Sequence, residues 1–126
     1  MTRLILTTAL SLMLATTAAL AADPAMTATT AKGPTLVDAK GMTLYTFAKD
    51  SADKIACVDK CAANWPPFLA EAGAKPAGDW TLVTRPEGTQ QWAYKGKPLY
   101  AWVKDMKPGD ITGDNFLDGA WKVAQP

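Results

Sequence analysis

Histidine is absent from the 126-residue sequence. That removes Ser–His and Cys–His nucleophile pairs, histidine zinc sites and a histidine haem ligand. Cysteine occurs twice, at Cys57 and Cys61, so multi-cysteine metal clusters have no ligands. No phosphate-cradling glycine loop or dinucleotide fingerprint appears. Any catalysis would run on carboxylates, Tyr or Lys alone, and the expected class is not an enzyme. A charge excess is missing too. Without Arg3, 12 Lys and Arg face 12 Asp and Glu. With no basic run, nucleic acid and anionic membrane are disfavoured as partners.

Long apolar runs are confined to the amino terminus. Arg3 is followed by uncharged residues from Leu4 to Leu20, diluted by Thr7, Thr8, Ser11, Thr16 and Thr17, and then by the small-x-small site Ala19-Leu20-Ala21. Positive, apolar, small is the layout of a secretory signal, expected over residues 1–21 with cleavage after Ala21 or Ala22. The run is short and weakly apolar for a spanning helix, so no transmembrane anchor is expected after cleavage. The expected location is the periplasm or the exterior. Residues 22–34, rich in Ala, Thr and Pro, read as a flexible leader. Residues 35–126 then make one domain, small enough for a cross-link to help it.

Within that domain the sequence repeats. Gly41-Met-Thr-Leu-Tyr45-Thr-Phe47-Ala-Lys-Asp50 aligns with Gly96-Lys-Pro-Leu-Tyr100-Ala-Trp102-Val-Lys-Asp105, at one offset throughout. Trp65 and Trp121 follow the two copies at nearly the same distance. Units of about 36–68 and 91–124 are expected to build one pseudo-symmetric core, since two copies are too few for a solenoid.

The local signals are β. Trp80–Arg85, Gln91–Tyr94 and Leu99–Val103 are rich in aromatic and β-branched residues, and Pro86–Thr89 and Lys95–Pro98 separate them as turns. They predict a three-strand antiparallel meander. Leu36-Val37 and Leu44–Phe47 predict a hairpin upstream. Along the third strand Tyr100 and Trp102 share one face and Leu99 the other, as in an interior strand. Cys57–Asn64 reads as one short helix, stopped by Pro66-Pro67. The fold class is mainly β.

The Gly41–Asp50 motif, Cys57-x-x-x-Cys61 followed by Asn64-Trp-Pro-Pro67, and Gly88–Tyr100 together resemble a bacterial family of secreted repeats of unknown function. That family is also described as predicted lipoproteins with a Tyr-x-(Phe/Trp)-x-x-Asp motif. The resemblance implies an exported envelope protein and no established activity. The chain departs from the lipoprotein description, because no cysteine lies near the signal to be acylated.

Several residues are candidates for function. Tyr45, Trp92, Tyr100 and Trp102 are core aromatics, or where exposed a stacking platform for a sugar or peptide. Asp50 and Asp105 are acceptors for backbone N–H groups as the chain leaves each strand, or a paired cation or ligand site. Arg85, the one arginine after Arg3, holds an anionic ligand or an internal carboxylate. Cys57 and Cys61 form a disulfide, or a dithiol that cycles redox state or binds Cu(I). A regular helix keeps residues four apart too far for a disulfide, so a bridge requires the turn to distort. Asp110–Gly119 reads as a glycine-rich turn, lacking the Glu of a calcium loop. The expected function is a non-catalytic module that binds an envelope component or partner protein. The alternative is redox or Cu(I) handling at the two cysteines.

Overall fold

The computed structural model describes residues 23–126. The expected signal lies outside them. Among the described residues no helix is long and apolar enough to cross a membrane.

Among the described residues seven strands and two short helices follow in order: β1 (Met26–Thr30), β2 (Gly33–Val37), β3 (Tyr45–Phe47), α1 (Lys60–Asn64), β4 (Trp80–Thr84), β5 (Gln90–Tyr94), β6 (Lys97–Tyr100), α2 (Phe116–Gly119) and β7 (Trp121–Val123). The protein is mainly β, as expected. β1 and β2 form a two-stranded sheet, and the other strands form a five-stranded sheet in the order β4-β5-β6-β3-β7. Every pairing is antiparallel. The meander β4-β5-β6 is present, and β6 lies inside the sheet between β5 and β3. β6 stops at Tyr100, so Trp102 sits just beyond the strand. Leu44 also donates its N–H to Leu36, which joins the two sheets at the predicted upstream hairpin.

The leader expected over 22–34 needs correcting. Met26–Thr30 is a strand paired with β2 over its whole length. A count of large apolar residues misses what orders it, because β1 is held by backbone hydrogen bonds and by threonines suited to a pleated strand. Thr30 Oγ1 lies 2.8 Å from Thr35 Oγ1. Gly33, at φ 85°, closes the two-residue loop in a backbone shape that costs a side-chain-bearing residue strain. The hairpin is tied to the body by Lys32 Nζ to Asp114 Oδ2 at 3.2 Å, and by the Gln125 side-chain amide to the Lys32 carbonyl at 3.1 Å.

The sheet carries apolar residues on both faces. Tyr45, Cys57, Trp65, Tyr100, Trp102, Trp121 and Val123 form one buried cluster. Ala25, Leu36, Leu44, Trp80, Leu99 and Ala124 form another. Adjacent residues of one strand, such as Leu99 and Tyr100, fall in different clusters because side chains alternate along a strand. Each buried aromatic contributes about 2–3 kcal/mol through the apolar area it withdraws from water.

Two helical expectations also need adjusting. The predicted helix over Cys57–Asn64 is a single turn, α1, because Asp59 at φ 54° breaks it between the cysteines. That break lets the Cα atoms of Cys57 and Cys61 approach to 5.2 Å, and the two are joined by a disulfide. The glycine-rich segment carries a second helical turn, α2, with non-helical backbone at Leu117 and Asp118.

Candidate functional site

β3 and β6 run side by side with Tyr45 opposite Tyr100. These are equivalent positions of the two copies, so a pseudo-twofold axis passes between them. Each motif ends with its aspartate past the strand, where it meets the tyrosine of the neighbouring copy rather than its own. Tyr45 donates its hydroxyl to Asp105 Oδ2 at 2.6 Å, and Tyr100 donates to Asp50 Oδ2 at 2.6 Å. The wiring is crossed. Asp105 also accepts from the Thr112 backbone N–H at 2.9 Å and the Thr112 hydroxyl at 2.6 Å. Asp50 also accepts from the Ala56 N–H at 2.7 Å. Both aspartates therefore serve the internal structure, and the backbone-acceptor reading describes part of what they do.

Burial raises the Tyr45 phenol well above its ordinary range, and the hydrogen bond to Asp105 adds to it. Burial and the bond to Asp50 raise Tyr100 in the same way. The Asp50 carboxyl is also raised by burial, against the lowering effect of the Tyr100 hydroxyl and the Ala56 N–H.

The same symmetry orders the rings. Phe47 stacks on Trp121 with centroids 4.2 Å apart, Trp121 on Trp65 at 3.8 Å, and Trp65 on Trp102 at 4.0 Å. Tyr45 meets Trp65 edge-on at 5.3 Å, and Tyr100 meets Trp121 edge-on at 5.1 Å. Both arrangements suit the quadrupoles of the rings. A four-ring column thus threads the core, and its two halves come alternately from the two copies.

Of the expected surface candidates, Tyr45, Tyr100, Trp102, Asp105 and Arg85 are buried. They offer no open platform. Arg85 is 2% exposed and fully engaged. Its Nε donates to Glu87 at 2.6 Å, Nη1 to the Gln91 side-chain oxygen at 2.7 Å, and Nη2 to the Cys57 carbonyl at 2.8 Å. Gln91 passes the network on to the Leu99 carbonyl at 2.7 Å. The arginine thus bolts the disulfide loop to the meander. Gln91 and Thr112 were not foreseen as partners; neither carries a motif that marks it.

Trp92 packs against the other core cluster, edge-on to Trp80 with centroids 6.1 Å apart. It is the one tryptophan that packing leaves partly open to solvent. It lines two adjoining depressions of about 340 Å³ each, with Pro24, Glu71 and Ala74 common to both. Phe68 and Leu69 also line the first, and Trp80 and Lys75 the second. Leu69, which sequence reasoning did not single out, is 49% exposed.

The carboxylates of the glycine-rich segment diverge. Asp110 Oδ2 caps the N–H groups of Met106 and Lys107, while Asp114 Oδ1 accepts from Val123. Asp110 thus caps backbone as in a turn, and Asp114 combines that with its ion pair to Lys32.

Two segments, residues 26–68 and 81–125, match the family described as a secreted repeat of unknown function. The chain belongs to that family. Its two matches take in β1 and β4 as well as the repeated motifs, so each secreted repeat includes the outer strand before its core strand. The description as secreted places the protein among exported chains. No curated protein and no solved structure matches it.

Proposed function

We propose that this secreted repeat protein is a non-catalytic binding module of the periplasm or exterior, which holds an envelope component against Trp92. The observation that carries the reading is the partly exposed indole of Trp92 in a depression with Phe68, Leu69 and Glu71. A flat aromatic face beside a carboxylate suits a ligand with one apolar face and hydroxyl groups at its edge, and the sugar rings of envelope glycans have that form. The crossed core supplies a rigid frame behind the site. The alternative of redox or Cu(I) handling at Cys57 and Cys61 requires the bridge to open first, and Cys57 is fully buried.

Titration with soluble cell-wall glycan fragments, followed through the indole N–H resonances, tests the proposal. The Trp92 resonance shifts saturably, Trp92→Ala abolishes binding, and the fragments are recovered unchanged. Binding unaltered in Trp92→Ala, or no shift at Trp92, overturns it.

A further inference from the structure

We propose that the two crossed Tyr–Asp pairs and the tryptophan column between them form a twin site for one-electron oxidation, in which an oxidising equivalent received at Trp102 comes to rest as a neutral tyrosyl radical on Tyr45 or Tyr100. This is independent of the Trp92 depression.

Indole and phenol are among the side chains that give up a single electron most readily. Three indoles here are in ring contact, Trp102 to Trp65 at 4.0 Å and Trp65 to Trp121 at 3.8 Å. Each of the two inner indoles has a phenol against it, Tyr45 on Trp65 and Tyr100 on Trp121. An electron can therefore leave either phenol, cross the column in steps between touching rings, and exit where Trp102 lies 7% exposed.

A phenol that loses an electron becomes a strong acid, and inside a protein its proton needs a base already in place. Both phenols have one, a carboxylate oxygen at 2.6 Å. At that distance transfer needs no water and little rearrangement. The step balances as follows. The phenol O–H bond breaks, an O–H bond forms on Asp105 or Asp50, and the electron passes through the indoles to the oxidant. The oxidant is a high-potential one-electron acceptor such as a peroxide-derived radical, which is reduced by one electron. A reductant reverses the sequence, the aspartate returning the proton.

The third tyrosine is a built-in contrast. Among the described residues no carboxylate bonds the Tyr94 hydroxyl, and the Lys95 ammonium lies 5.2 Å from its ring centroid, where positive charge opposes removal of an electron.

The test is oxidation of the full chain by a photogenerated ruthenium(III) polypyridyl complex, with radicals read by electron paramagnetic resonance. The tyrosyl signal appears in the unaltered protein and persists in Tyr94→Phe. It is lost in the double variant Tyr45→Phe/Tyr100→Phe, which leaves a tryptophan signal. It is also lost in Asp50→Asn/Asp105→Asn, which removes the bases. A tyrosyl signal of the same yield in the folded Asn variant, or one lost in Tyr94→Phe, overturns the proposal. Spin-trap adducts mapped on the unaltered chain decide the matter should the Asn variant not fold. Adducts at Tyr45 or Tyr100 support it, and adducts at Tyr94 alone, or at no tyrosine, refute it.

Discussion

Trp65 and Trp121 lie face to face, with 3.8 Å between ring centroids and 3° between planes. They occupy the same place in the two repeats, and nothing separates them.

The stacking of Trp65 on Trp102, next along the column, depends on a missing side chain. A Cβ on Gly113 would sit 2.6 Å from Trp65 Cη2 and 3.1 Å from Trp102 Cδ1. Gly113→Ala must push the column apart and should cost about 1–3 kcal/mol, as overpacking does. Denaturant unfolding gives the value, and near-ultraviolet circular dichroism should show the tryptophan coupling weakened. Gly73→Ala, where a Cβ meets nothing but the backbone has φ 82°, should leave that spectrum unchanged.

The crossed wiring can be read by double-mutant cycles. Tyr45→Phe combined with Asp105→Ala should show a coupling of about 1–2 kcal/mol, since each removes the same buried hydrogen bond. Tyr45→Phe combined with Asp50→Ala should add, within about 0.5 kcal/mol. A coupling confined to the second pair would mean that each tyrosine serves its own copy.

Alkali should unfold the protein in a way that traces to two residues. Both phenols are raised by burial first and by their carboxylates second. Below the ordinary phenol pKa of about 10, native and unfolded chains hold these protons alike and the full stability is present. Above it the unfolded chain releases protons that the native chain retains. Stability then falls by about 1.4 kcal/mol per pH unit for each tyrosine. Tyr45→Phe should remove about half of that slope in urea unfolding measured across the alkaline range.

The bridge between Cys57 and Cys61 closes a short loop and should stabilise the chain by about 2 kcal/mol. Cys57→Ser/Cys61→Ser should lower the thermal midpoint accordingly. The unaltered protein should show no reactive thiol until it is reduced. Arg85 grips the Cys57 carbonyl, so Arg85→Ala should make the bridge easier to reduce as well as costing about 3 kcal/mol.

Much of this architecture was legible in the sequence because it was written twice. The repeat marked Tyr45 and Tyr100 as equivalents, and the alternation along Leu99–Trp102 placed β6 inside the sheet. The cross-pairing itself was hidden. Tyr45 and Asp105 are 60 residues apart, and no local pattern says that a carboxylate belongs to the other copy. β1 was misread because its order comes from backbone pairing, and only its inner end is even partly buried. Trp92 resembles the other tryptophans in sequence, and only the packing leaves it partly exposed. Arg85 suggested an anionic ligand or an internal carboxylate, and what satisfies it is the carboxylate of Glu87 two residues on, with a glutamine six residues on and a carbonyl in the disulfide loop.

Crossed pairing also constrains how such a chain can have arisen and grown. A lone copy would hold a phenol without its acceptor and a carboxylate without its donor, so its stable form would be a closed homodimer. Joining two such copies end to end would satisfy both pairs within one chain, and further units would be accommodated two at a time. An odd-numbered array would leave one member unsated and prone to seek a mate in another molecule.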